Sequence, residues 1–183
     1  STGLPSKPLV DMAILDDAGK PVPQGQRGEV SIRSVALFSG YWNRPDATAE
    51  CMTDDGYFRT GDVGYFDEDG YLFIVDRKKD IIIRGGENLS AREIEDVLYT
   101  HPDIQEVAVV AMPHERLGEG VCACVVPRPG AEPLSLEALK PFLAENRLAK
   151  QKWPERIELH DELPKTASGK VRKDRENNRF IRC

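Results

Sequence analysis

Asp76-Arg77-Lys78-Lys79-Asp80-Ile81-Ile82-Ile83-Arg84-Gly85-Gly86-Glu87-Asn88 divides this 183-residue chain into two parts of different character. Five charged residues in a row cannot be buried without partners, so 76–80 reads as a solvated connection or a hinge. The isoleucine triplet has the β-branched composition of a strand. Gly85-Gly86 permits backbone angles that other residues avoid and would let a backbone approach a ligand closely. Glu87-Asn88 is then expected in a loop ahead of a helix.

Upstream of the divide the pattern is β-rich. Residues 10–15 form a strand candidate that ends at the turn-forming Asp16-Asp17-Ala18-Gly19. Residues 28–33 alternate Val30 and Ile32 with polar neighbours, as a half-buried strand does. Residues 45–52 suit a short helix with Pro45 in its first turn. Strands are expected at 57–60, 63–66 and 71–75, the last two joined by Asp67-Glu68-Asp69-Gly70 as a hairpin. Thr60-Gly61-Asp62 falls between two of these strands.

Downstream, Ser90-Ala91-Arg92-Glu93 fits a capping box. It opens a helix with Ile94, Val97 and Leu98 on one face, ending before Pro102. Residues 107–111 and 121–126 are near-continuous apolar runs, as in strands buried on both faces. Ser135 can cap a second helix bearing Leu136, Leu139, Phe142 and Leu143 at helical spacing. A strand at 156–159, a loop at 164–170 and a polar tail read as a short helix complete the chain. The class is α+β, the second part having a β-α-β-β-α-β order.

A chain with 40% hydrophobic residues can build a core without disulfides. The net charge of −6 argues against a nucleic-acid binder. No apolar run approaches a membrane span, and no signal peptide is visible, so the expected compartment is the cytoplasm. The four cysteines make no CxxC pair; Cys122 and Cys124 alternate within an apolar strand and are expected as buried thiols. His101, His114 and His160 have no metal-ligand spacing, so no metal site is expected.

Three stretches carry candidate chemistry. The carboxylate of Asp62 could accept hydrogen bonds from both hydroxyls of a ribose. Arg77, beyond the hairpin, could donate several hydrogen bonds to a nucleotide. Pro164-Lys165-Thr166-Ala167-Ser168-Gly169-Lys170 lacks the spacing of a phosphate loop, yet it presents Lys170 from flexible small residues. An ammonium there suits negative charge developing on phosphate or carboxylate.

In this order and spacing, 56–62, 76–88 and 163–170 resemble the acyl-CoA synthetase branch of the adenylate-forming enzymes, which include luciferases and peptide-synthetase adenylation domains. The resemblance runs from about Val10 to Lys173. It implies a β-rich end of a large adenylation domain at 1–78, followed by a small C-terminal lid domain at 79–183. It also implies that a carboxylic acid, ATP with Mg2+, and CoA react through an acyl-adenylate to acyl-CoA, AMP and pyrophosphate. In that scheme Lys170 is the adenylation lysine, Asp62 and Arg77 contact the ribose side of ATP, and Lys79 stands at the hinge position. Gly85, Gly86 and Glu87 border the pantetheine tunnel of CoA. The phosphate loop, the adenine segment and the acyl pocket of the family have no counterpart here, so a missing N-terminal portion is the implied partner. The isolated chain is expected to be inactive. The tail from Lys165 holds seven basic and two acidic residues, a net +5, which could meet CoA phosphates. Two other readings stay open: a stand-alone non-catalytic module that binds a nucleotide or a partner, and an adenylation domain loading a carrier protein.

Overall fold

The computed structural model describes residues 1–6, 8–132 and 134–173. It consists of two compact units, Ser1–Lys79 and Asp80–Cys183. The helical reading of the tail beyond Lys173 lies outside the described residues.

The first unit is a four-stranded antiparallel meander in chain order: β1 (Val10–Leu15), β2 (Gly28–Ser34), β3 (Phe58–Phe66) and β4 (Leu72–Arg77). Its small core is Ile14, Val30 and Leu72. Helix α1 (Pro45–Cys51) carries Pro45 in its first turn, where the missing N–H costs nothing. The Asp67–Gly70 turn closes as its sequence dictates, the Asp67 carboxylate accepting from the backbone N–H groups of Asp69 and Tyr71.

One expectation changes here. Thr60-Gly61-Asp62 does not separate two strands; it is the middle of β3. Glu29 pairs with Val63 and Ser31 with Arg59, so Thr60, Gly61 and Asp62 together face Val30. Gly61 takes φ +75°, which allows the bulge. Side chains stitch it shut: Thr60 Oγ1 donates to the Val30 carbonyl at 2.8 Å, and Asp62 N–H donates to Thr60 Oγ1 at 3.1 Å.

Among the described residues the second unit is a five-stranded sheet with two α-helices. Its elements are β5 (Ile81–Arg84), β6 (Glu87–Ser90), α2 (Ala91–Leu98), β7 (Ile104–His114), β8 (Gly118–Pro127), α3 (Leu136–Glu145) and β9 (Arg156–Leu159). The order is β6-β5-β8-β7, with β9 parallel to β8. Glu87 and Asn88 form part of a strand rather than a loop. Gly85 and Gly86 both have positive φ, +59° and +86°, and Arg84 pairs with Glu87 across them. That is the two-residue turn that folds a strand back on itself, and it adds β6 to the anticipated order.

Both helices start where their caps predict: Ser90 Oγ accepts from Glu93 N–H, and Ser135 Oγ from Ala138 N–H, each at 3.2 Å. They lie on one face of the sheet, where Ile94, Leu98, Leu139 and Leu143 meet Val107, Val109, Val121, Ala123 and Val125. Each of the Val, Leu and Ile side chains among them contributes about 1.5–3 kcal/mol by leaving water. The opposite face carries Ala108, Cys122, Cys124, Val126 and Leu163. The period-2 alternation of β8 thus divides its apolar residues between two cores, as two-sided burial requires. Cys124 keeps its thiol, and burial, helped by the charge of Glu158, pushes its pKa up to about 12. Cys122 is disulfide-bonded, against the expectation of a thiol. No helix among the described residues is long and apolar enough to cross a membrane.

Candidate functional site

In the first unit the hairpin register sets Asp62 directly opposite Arg77. Arg77 Nε lies 3.3 Å from Asp62 Oδ1, and its Nη2 donates to the Thr60 carbonyl at 3.4 Å. The bulge thus turns Asp62 towards its cross-strand neighbour. Both side chains stay partly open to solvent, 38% for Asp62 and 55% for Arg77, so a ligand can reach them. Next to Arg77, the buried Asp76 carboxylate accepts its backbone N–H at 2.7 Å.

A second carboxylate, unforeseen in the sequence, organises this end of the sheet. Glu29 is buried and accepts from Arg59 Nη1 at 3.0 Å, Lys78 Nζ at 3.1 Å and Gly61 N–H at 3.2 Å. A buried carboxylate is tolerated only with such donors. Lys78 also donates to Asp17 at 2.8 Å. That bond is the largest cause of the raised pKa of Lys78 and the lowered pKa of Asp17. Thr60, Gly61, Arg59, Phe58, Tyr41 and Lys78 border an open cleft of about 470 Å³. Nothing in the local sequence signals this network, because its members are 30 and 49 positions apart.

The single-turn 3-10 helix Lys78–Asp80 follows β4. Lys78 is engaged by the first unit, whereas Lys79 is exposed, and the division between units falls between Lys79 and Asp80.

In the second unit Gly85, Gly86 and Glu87 are exposed at the tip of the β5–β6 hairpin. The tip is braced from two sides. Gly85 N–H donates to the Leu117 carbonyl at 2.8 Å, and the Leu117 N–H donates to His114 Nδ1. Arg84 Nη2 donates to Glu155 Oε1 at 2.5 Å, with His114 Nε2 4.0 Å from the same oxygen. These ties hold the glycine turn to the start of β8 and to the segment leading into β9.

Lys170 is exposed, as its proposed chemistry requires, but its loop is not the flexible stretch expected. Lys165 and Val171 form an antiparallel bridge, Thr166 N–H donates to the Lys170 carbonyl at 2.8 Å, and Gly169 N–H donates to the Thr166 carbonyl at 2.9 Å. Leu163 and Val171 root the stems in the core behind the sheet. Lys165 pairs with Glu106 at 2.7 Å, and Lys173 with Glu95 at 2.5 Å. A fixed base therefore presents one solvated ammonium. Of the site residues read from sequence, Asp62 and Arg77 come together in the first unit. Gly85, Gly86, Glu87 and Lys170 belong to the second.

Residues 93–170 match the family model of the AMP-binding enzyme C-terminal domain. The chain is 46% identical over 164 residues to a medium-chain fatty-acid–CoA ligase of Escherichia coli, covering 90% of this chain and 29% of that protein. It is 45% identical over 173 residues to the fatty acid–[acyl-carrier-protein] ligase ScoC of Streptomyces coeruleorubidus, covering 94% of this chain and 33% of that protein. Among solved structures, ATP-bound MatB of Rhodopseudomonas palustris superposes with a TM-score of 0.79 at 39% identity, over 90% of this chain and 32% of that one. The chain belongs to the adenylate-forming enzymes and corresponds to their C-terminal part. It spans about a third of the length of these relatives.

Proposed function

We propose that this chain is the C-terminal part of an AMP-forming acyl-CoA synthetase, residues 1–78 ending the large domain and 79–183 forming its lid. The turn that presents Lys170 carries this reading. In the first half-reaction a carboxylate oxygen attacks the α-phosphorus of ATP; a new P–O bond forms and the bond to pyrophosphate breaks. Negative charge gathers on the reacting oxygens, and a positioned ammonium stabilises it. Lys170 supplies that ammonium. Asp62 accepts the ribose hydroxyls, and Arg77 steadies Asp62 while donating to the ribose side.

In the second half-reaction the CoA sulfur attacks the acyl carbon, the S–C bond forms and AMP leaves. Lys170 has no task there, and rotation about Lys79 exchanges it for the Gly85-Gly86-Glu87 tip beside the pantetheine. One active site then serves two reactions in turn. ATP brings magnesium with it. The one metal-compatible grouping among the described residues contains a thiol and an imidazole, a poor match to magnesium's preference for oxygen. Magnesium is held largely by substrate phosphates with few protein ligands, and we assign those ligands to sequence upstream of this chain. We assign the protein to the cytoplasm, where both ATP and CoA are at hand.

The surface of the first unit supports the incompleteness of this chain. Val35 and Trp42 are 92% and 91% exposed, and Leu4, Leu9 and Phe38 are exposed as well. Such apolar exposure suits a surface that further sequence covers. The likeness to ScoC favours one other acceptor, a carrier-protein thiol, in the same second step. The test is thioester synthesis from a panel of carboxylic acids. The isolated chain should form no thioester with ATP and CoA. The longer protein should do so, and substitution of carrier protein for CoA distinguishes the acceptors. Thioester formation by residues 1–183 alone would overturn the reading.

A further inference from the structure

Strands β8 and β9 run parallel, and their register sets Cys124 beside Glu158. His160 follows two residues after Glu158, held in line by its N–H donating to the Val125 carbonyl at 2.9 Å. The pleat gives Cys124, Glu158 and His160 the same face, away from the helices. One ligand atom from each, sulfur, carboxylate oxygen and imidazole nitrogen, lies within 4.8 Å of the others. The sequence spacing could not reveal this group, because two strands distant in the chain build it.

His160 leaves one polar atom of this group unsatisfied. His160 Nε2 is buried and makes no hydrogen bond; Glu158 Oε2 lies 3.8 Å from it. Arg156 Nη2 holds the other oxygen, Glu158 Oε1, at 2.7 Å. The carboxylate is thereby oriented, with Oε2 on the side of the imidazole. A buried polar atom without a partner is destabilising, and a bound cation would satisfy it.

We propose that Cys124, Glu158 and His160 bind a borderline divalent cation, zinc foremost. Zinc accepts this mixture of thiolate, imidazole and carboxylate, with bonds of about 2.0–2.3 Å. Tetrahedral bonds of that length set ligand atoms roughly 3.3–3.7 Å apart, so side-chain adjustments of about an ångström close the group around the ion. Calcium and magnesium prefer oxygen alone. On binding, the Cys124 S–H proton passes to the buffer and a metal–sulfur bond forms; no electrons are transferred. Water fills the fourth position. The Arg156 bond to Oε1 acts as the outer support that orients a ligating carboxylate. The bound ion would cross-link β8 to β9 just ahead of the segment that carries Lys170. This inference does not depend on the proposed enzymatic role.

The test uses the whole 183-residue chain, stripped of metal with its Cys122 disulfide left intact. Zinc is titrated against a coloured chelator, and cobalt is added separately as an absorbing substitute. The expected result is one zinc per chain and a thiolate-to-cobalt charge-transfer band. Cys124→Ser should abolish the band, and His160→Gln should weaken zinc at least about tenfold. Cys51→Ser, which alters a thiol outside the group, should change neither. If Cys124→Ser does not fold, His160→Gln and Glu158→Gln carry the same test. Absence of saturable zinc binding overturns the proposal, as does binding that His160→Gln and Glu158→Gln leave unchanged.

Discussion

The two units hold their candidate residues in opposite ways. Asp62 and Arg77 face each other across paired strands, and the buried Glu29 network lies behind the bulge that carries Asp62. Lys170 and Gly85-Gly86 stand on exposed turns beyond the strands, held by hydrogen bonds within the turn or to an adjoining loop. Strand-borne groups suit a ligand that stays in one place. Turn-borne groups suit delivery to that ligand and withdrawal from it. This contrast is the physical basis for treating the first unit as platform and the second as lid.

The largest effect outside Lys170 should come from Glu155. Glu155→Ala leaves Arg84 without its carboxylate and frees one brace of the glycine turn. A hydrogen bond to a charged group is worth about 1.5–3 kcal/mol, and the second unit should lose an amount of that order in denaturant unfolding. In the longer enzyme the KM for CoA should rise more than the KM for ATP. An equal rise in both would break the assignment of this tip to CoA. Asp62→Asn tests the platform. It removes the charge while keeping the shape, and the KM for ATP should rise roughly tenfold, about 1.4 kcal/mol, with CoA little affected.

The smallest effect concerns the rim of the first unit. The Lys78 ammonium lowers the Asp17 pKa from its ordinary value of 3.8. A lowered carboxylate pKa stabilises the fold above the ordinary value, and that stability is lost as pH falls through the folded value. Asp17 is almost wholly exposed, so the contribution should stay within about 0.5 kcal/mol. Asp17→Asn should therefore be slightly less stable than the parent at pH 6 and indistinguishable from it at the acid end. A larger difference would mean that Asp17 belongs to the platform network rather than to its edge.

Much of the fold was legible because its signals are local. Ser90 and Ser135 cap the helices that their spacing announces, and the Asp67–Gly70 turn closes within four residues. Asp62 and Arg77 stand out as separate candidates in the sequence, but their contact depends on hairpin register and a bulge. The backbone freedom of Gly85-Gly86 suits close approach to a ligand, and the same freedom makes a tight hairpin that turns Glu87 and Asn88 into strand. The small residues of 164–170 suggested flexibility, whereas the Thr166 backbone and hydroxyl close the turn. The Arg84–Glu155 tie joins residues 71 positions apart, and no periodicity encodes such a meeting.

The contrast between platform and lid rests on Lys170 acting in one half-reaction and not in the other. The most direct measurement is Lys170→Ala in the longer enzyme, with pyrophosphate release and thioester formation from supplied acyl-adenylate followed separately. Adenylation should fall by about 10²–10³ or more, as when one group stabilising a transition-state oxyanion is removed, while thioester formation stays within roughly threefold of the parent. Equal loss of both half-reactions, or full adenylation without the ammonium, would contradict the account.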